Sequence, residues 1–159
     1  MPVAAVVLAA GAATRYGRPK QRELLPSVLE RLAQSSVDDV IVVAGAYELD
    51  VPTVRAVDWE RGPGASLRAG LSALDDDVTH AVVILADGPR LDPRAVDRLI
   101  AHRNDAPVLA ASYDGARSHP VLLARDMWGS VPDEGGRVLD ATLVDCSDLE
   151  PPGDVDVPA

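Results

Sequence analysis

Residues 8–20 read Leu8-Ala9-Ala10-Gly11-Ala12-Ala13-Thr14-Arg15-Tyr16-Gly17-Arg18-Pro19-Lys20, directly after an apolar run that begins at Val3. Small side chains let backbone N–H groups approach phosphate oxygens closely, and Arg15 and Lys20 bring the positive charge that a triphosphate needs. The spacing is neither that of a P-loop nor that of the dinucleotide Gly-x-Gly-x-x-Gly, because only Gly11 and Gly17 are present. A plain strand-to-helix turn is the competing reading; the length of the loop and its two cations favour phosphate. A second chemical centre stands at Asp87, which follows the apolar run Ala81–Ala86 and precedes Gly88-Pro89. A carboxylate at a strand end suits Mg²⁺ carried by phosphates, since that ion takes only one or two protein carboxylates. From the residues alone, a turn aspartate is an equal alternative.

The elements that must position these residues alternate. Val3–Leu8, Asp39–Ala44 and Ala81–Ala86 read as strands buried on both faces, with Val54–Val57 a short addition. Ser27 and Glu30 fit a capping box for a helix whose apolar face is Leu29, Leu32 and Ala33. Gly62-Pro63-Gly64-Ala65 reads as a turn, with Ser66 capping a helix that carries Leu67, Leu71 and Leu74. Asp92-Pro93 starts a third helix, lined by Val96, Leu99 and Ile100. Pro107–Ser112 and Pro120–Leu123 flank the turn Tyr113-Asp114-Gly115, Val138–Leu143 is expected to be helical before a short strand near Val144, and Pro151–Ala159 to be extended. This alternation predicts βαβ units in a mostly parallel sheet, and such sheets bind ligands at the carboxyl ends of their strands.

Composition narrows the function. The 159 residues are 47% hydrophobic but contain no Phe and only 3% aromatics, so the core is built of Ala, Val and Leu. One domain spanning residues 1–159 is expected. A net charge of −10 disfavours nucleic acid and anionic membrane surfaces, and any nucleotide must meet a local cationic pocket. The single Cys146 excludes an intramolecular disulfide and a multi-cysteine metal site, and reads as a small apolar residue. The N-terminal apolar run lacks a basic flank, and no stretch has membrane-spanning length, so a cytoplasmic protein is expected.

Leu-Ala-Ala-Gly-x-x-x-Arg-x-Gly-x-Pro-Lys, placed after the first strand, resembles the signature of the MobA-like NTP transferases. Within that family the Ala-Ala-Gly form resembles the molybdenum cofactor cytidylyltransferases, whereas the guanylyltransferase branch usually carries Ala-Gly-Gly. Gly64-Ala65-Ser66-Leu67 is similar to the family's Gly-x-Ser-Leu helix start, and Leu85-Ala86-Asp87-Gly88-Pro89 to its Leu-x-Asp-x-Pro strand end. His119-Pro120 resembles the Gly-His-Pro region of the acceptor pocket, Asp133–Arg137 the Gly-Asp-x-Gly-Ala-Arg stretch, and Asp154–Pro158 the terminal Asp-Ile-Asp-Thr-Pro. The sequence departs from the pattern in a shortened segment after Lys20, in Gly88 where Gln or Met is common, and in Ser118 before His-Pro.

The resemblance implies a Rossmann-like three-layer α/β/α fold of the nucleotide-diphospho-sugar transferase type. It implies transfer of CMP from CTP to molybdopterin or its molybdenum form, with release of pyrophosphate. It also implies Mg²⁺ as cofactor and transient contact with a molybdoenzyme. Leu8, Ala9, Ala10, Gly11, Ala12, Ala13, Arg15, Lys20 and Ser66 would then bind nucleotide, with Arg15, Lys20 and Asp87 catalytic. His119 and Pro120 would bind the acceptor, and Asp87 and Asp156 the metal. Two alternatives stand beside this: GTP or another phosphate acceptor on the same fold, and a non-catalytic nucleotide- or cofactor-binding accessory protein.

Overall fold

The structure is a computed structural model that describes residues 2–9, 20–45, 49 and 52–153, with residues 20–23 described by their backbone. Seven strands among these residues form one sheet: β1 (Val3–Ala9), β2 (Asp39–Ala44), β3 (Val54–Arg55), β4 (His80–Leu85), β5 (Val108–Tyr113), β6 (Ala116–Ala124) and β7 (Thr142–Asp145). Their order is β3-β2-β1-β4-β6-β5-β7. Only β6 runs against the rest, pairing antiparallel with both β4 and β5. Three helices cover the sheet: α1 (Lys20–Leu32), α2 (Pro63–Ser72) and α3 (Pro93–Ala101).

The sheet divides the core by residue parity. Val3, Ala5, Val7 and Ala9 of β1 face Leu25, Val28 and Leu32 of α1 and Val96 and Leu99 of α3. Ala4 and Val6 face Leu67 and Leu71 of α2 on the other side, with Leu8 packed partly against that cluster. A strand buried on both faces must be apolar throughout, which is why the N-terminal run shows no alternation. The result is the expected three-layer α/β/α arrangement.

Several local expectations change in the folded chain. Helix α1 begins at Lys20 and carries Pro26 inside it, so the segment after Lys20 is helix and Ser27 lies in its interior. The Ser27 hydroxyl donates to the Pro89 carbonyl at 3.3 Å instead of capping. Proline removes one helical hydrogen bond, and the fully buried Val28 and nearly buried Leu25 and Leu32 outweigh that loss. Helix α2 likewise starts at Pro63, with Gly62 as N-cap, so Ser66 is an interior residue. Proline at the first helical position has no N–H to satisfy and its φ is already helical. Residues 139–141 are not helical; a 3-10 turn at Gly136–Val138 leads into β7, four residues long and parallel to β5.

Other expectations hold. Asp92 caps α3 by accepting from the Arg94 N–H at 2.9 Å. Asp114 and Gly115 turn the β5–β6 hairpin at φ 53° and 82°, the signature of a two-residue type I′ turn. Cys146 is fully buried, and burial pushes its thiol pKa up. No helix among the described residues is long and apolar enough to cross a membrane.

Helix α2 lies very close to the sheet at Gly70. A Cβ there would come within 2.6 Å of Val6 Cγ1 and 2.7 Å of Val43 Cγ2. Gly70→Ala is therefore expected to destabilise the protein by roughly 1–3 kcal/mol through overpacking. Urea denaturation should show the loss, and Val43→Ala in the same chain should restore part of it. A Gly70→Ala variant as stable as the parent would refute this packing.

Candidate active site

The sheet order gives the site its place. The chain passes from β1 outward to β2 and β3, then returns through α2 to β4 on the other side of β1. Helices α1 and α3 pack on one face of the sheet and α2 on the other, and the carboxyl ends of β1 and β4 lie side by side where the strand order turns back. Parallel pairing sets Leu8 against Leu85, and the Ala86 N–H donates to the Leu8 carbonyl at 3.1 Å. The segment that leaves Ala9 and the turn that bears Asp87 therefore depart from adjacent strands at one edge. Asp87 is half-buried.

Beside this edge, on the α2 face, lies a cleft of about 450 Å³. Its floor is apolar, formed by Leu8, Leu67, Val83, Leu85 and Val121. Its rim is formed by Pro63, the β6 run Arg117–His119 and the loop Glu134–Arg137, which bring most of its polar groups. An apolar floor with a few polar groups at the margin is what a planar heteroaromatic ring requires.

The far wall is fastened to α2 chiefly through Asp133, and Arg68 also donates to the Val131 carbonyl at 2.8 Å. The Asp133 carbonyl accepts from the Gly64 N–H at 2.9 Å, and its carboxylate accepts from Arg68 at 2.6 Å and from Arg61 at 3.3 Å. The wall passes so near the helix start that a Cβ on Gly64 would lie 1.5 Å from the Pro132 carbonyl oxygen. One N–H of the first helical turn, which has no partner within the helix, is thus satisfied by a loop about seventy residues away, and the carboxylate complements the helix dipole. The Arg68 hydrogen bond, with Arg61 nearby, holds the Asp133 carboxyl below the usual carboxylate range. Arg117 completes the wall by donating to the Leu139 carbonyl at 2.6 Å and the Gly136 carbonyl at 3.0 Å.

The predicted residues distribute as follows. Leu8 and His119 line the cleft, while Asp87 and Pro120 lie within two residues of lining positions. Ala9 and Pro120 are buried, Ala9 within the α1 face of the core. Ser66 is only 3% exposed within α2, so its hydroxyl neither caps the helix nor lines the cleft. Lys20 opens α1. Ala10, Gly11, Ala12, Ala13, Arg15 and Asp156 lie outside the described residues. Nothing in the sequence marks the structural roles of Arg68, Arg117 and Asp133, because contacts across 19 to 72 residues leave no local signal.

No group of three or more His, Cys, Asp or Glu side chains able to enclose a metal occurs among the described residues. Asp87 offers one hard oxygen donor at the strand edge. That donor set fits a divalent ion that arrives with phosphates better than one held in an all-protein cage.

A MobA-like NTP transferase domain model matches residues 5–140. The chain belongs to that family. It is a nucleotidyltransferase, which decides for an enzyme over a purely binding accessory protein. The molybdenum cofactor guanylyltransferase of Rhizobium johnstonii is 34% identical over 157 residues, covering 89% of this chain and 75% of that one. A homologue of Mycobacterium tuberculosis Rv0371c from Mycobacterium sp. strain JC1 superposes with a TM-score of 0.80 at 25% identity, covering 98% of this chain and 90% of that one. Rv0371c itself, solved in complex with manganese, gives a TM-score of 0.70 at 25% identity over 91% and 89% of the two chains. The fold is that of the nucleotide-diphospho-sugar transferases, as the resemblance implied.

If Asp133 fastens the wall, Asp133→Asn should lower the thermal midpoint at neutral pH. A depressed carboxylate pKa stabilises the fold above its unfolded value and loses that contribution as pH falls through the folded value. The gap between variant and parent should therefore close below about pH 4. A gap that stays constant across a pH series of melting curves would show that the ion pair is not the fastener.

Proposed function

We propose that the chain transfers CMP from CTP to the phosphate of molybdopterin or its molybdenum form, acting as one domain over residues 1–159 in the cytoplasm. The observation that carries this reading is the pairing of β1 with β4. It brings Ala9, from which the small-residue segment continues in sequence, one strand away from Ala86, the residue before Asp87. The chemistry needs no protein nucleophile, because the acceptor's ionised phosphate attacks the α-phosphorus in line and pyrophosphate leaves. Positioning and charge neutralisation suffice.

In this reading the backbone amides of Ala10–Ala13 bind the triphosphate, with Arg15 and Lys20 balancing its charge. The apolar floor of the cleft receives a flat ring, and His119 and Pro120 meet the acceptor. Mg²⁺ bound with the nucleotide supplies charge neutralisation at the α-phosphate. Asp87 would hold it, joined by Asp156. The path of the chain supports the second ligand: the Gly153 carbonyl oxygen is 3.2 Å from the Cβ position of Gly88. Asp156 is three residues on, a span of at most about 10 Å. Ser66 is the weakest assignment, given its burial.

Ala10 is the residue that favours CTP. The name of the Rhizobium relative favours GTP, which is the second reading. Pyrophosphate release should decide it, measured with each nucleotide, molybdopterin and Mg²⁺. Turnover is expected with CTP, and a rate with GTP that exceeds it would reverse the nucleotide assignment. Asp87→Asn should lower the rate by at least about a hundredfold, as for loss of a group that stabilises developing charge.

Lys20→Ala gives a separate check on the triphosphate role. Loss of one charge-assisted contact should weaken CTP binding by about tenfold or more and leave CMP binding nearly unchanged. Equal weakening of both nucleotides in calorimetric titrations would remove Lys20 from the phosphate site.

A further inference from the structure

The turn after β4 carries a glycine whose surroundings are unusually crowded. A Cβ on Gly88 would lie 2.9 Å from His119 Cε1, 3.0 Å from Pro152 Cβ and 3.2 Å from the Gly153 carbonyl oxygen. Three segments distant in sequence therefore converge on one α-carbon: the strand end that bears Asp87, the β6 residue that borders the cleft, and residues 150–153. Pro152 and Gly88 are both buried.

The last of these segments is fastened independently. The Arg90 N–H donates to the Pro152 carbonyl at 2.9 Å, and the Arg90 guanidinium pairs with Glu150 at 3.4 Å. The turn that carries Arg90 is tied in its own right to α1, because Arg31 donates to the Leu91 carbonyl at 3.0 Å. Pro152 is thus held at the same α-carbon that the imidazole approaches.

This packing fixes the orientation of the ring. His119 Nδ1 is buried, Cε1 is turned to Gly88, and His119 borders the cleft. The Nε2–Cδ2 edge is what remains to face the cleft. We infer that Gly88 and Pro152 are positioning residues, which together hold the His119 imidazole with its Nε2 edge toward the cleft to meet the phosphate of the acceptor. The identity of that phosphate as an acceptor rests on the nucleotidyl-transfer reading; the clamp itself does not.

A side chain at position 88 would push the ring aside, because the atoms it meets are a ring, a proline and a backbone carbonyl with little freedom to move. Truncating Pro152 would act in the opposite direction, by opening space around the Gly88 α-carbon beside the ring. Both changes should reach the cleft through His119.

The chain contains only three histidines, so their Cε1–H resonances report the ring directly. In the full-length protein, with His119→Gln used for assignment, Gly88→Ala and Pro152→Ala should each displace the His119 resonance and leave those of His80 and His102 in place. Inorganic phosphate should shift the His119 resonance of the parent protein. Its affinity, read from that shift, should fall about tenfold in either variant, the equivalent of one charge-assisted hydrogen bond. If Gly88→Ala does not fold, Pro152→Ala alone carries the comparison. An unmoved His119 resonance, a displacement shared by all three histidines, or unchanged phosphate affinity would overturn the inference. Pyrophosphate release by the parent protein tests the nucleotidyl-transfer reading separately, so the two can fail independently.

Discussion

The edge-on pairing of β1 between β2 and β4 is the constraint on which the rest of the molecule depends. Every residue of β1 except Leu8 is buried. Its backbone groups are committed to strands on both sides, and its side chains to helices on both faces. Such a strand tolerates no polar residue and little change in volume. In return, it holds the backbone that leaves Ala9 and the backbone that bears Asp87 one strand apart. The proposed metal–triphosphate site would rest on that spacing, because a cationic segment and a metal-binding carboxylate must converge on one group.

The second dependence lies on the α2 face. A helix start beside a strand edge invites a reading as an anion site. Here part of that capacity is spent within the protein: the Asp133 carbonyl takes the Gly64 N–H, and its carboxylate takes Arg68 and Arg61. The effect is to fasten the wall Glu134–Arg137 across the cleft from β6. Gly64 serves this contact by having no side chain to obstruct the Pro132 carbonyl. The glycine that resembles part of a family signature thus has a packing reason of its own.

The strands were legible because burial on both faces leaves an unbroken apolar run. Asp39–Ala44 matches its observed limits, although only Val42–Ala44 of it are buried, and β1 and α3 start where the pattern places them. The helix starts at Ser27 and Ser66 were misread for one reason. A serine before apolar periodicity signals a cap only if nothing earlier can begin the helix, and Pro63 and the stretch from Lys20 both can. The helix expected over 138–143 failed because β7 obtains its hydrogen bonds from β5, about thirty residues away. Asp87, Leu8 and His119 were legible as site candidates, since each stands in a motif next to a strand. Arg68 and Arg117 were not, and Asp133 stood in a family-like stretch that says nothing of its fastening role, since the partners of all three are distant in sequence and ordinary in type.

By itself, then, the sequence determined the class of fold and the family, and it nominated the residues proposed to handle a nucleotide. Those properties reside in local pattern: apolar runs, a loop of small residues with cations at its end, and a carboxylate after a strand. Tertiary structure alone decided which backbone groups remain available and how the cleft is walled. It showed that α2 begins against Asp133, that Ser66 is buried, and that Gly88 is the point where β4, His119 and Pro152 meet. The physical reason is that hydrogen-bond satisfaction and close packing are settled between segments far apart in the chain, where no local pattern records the partner.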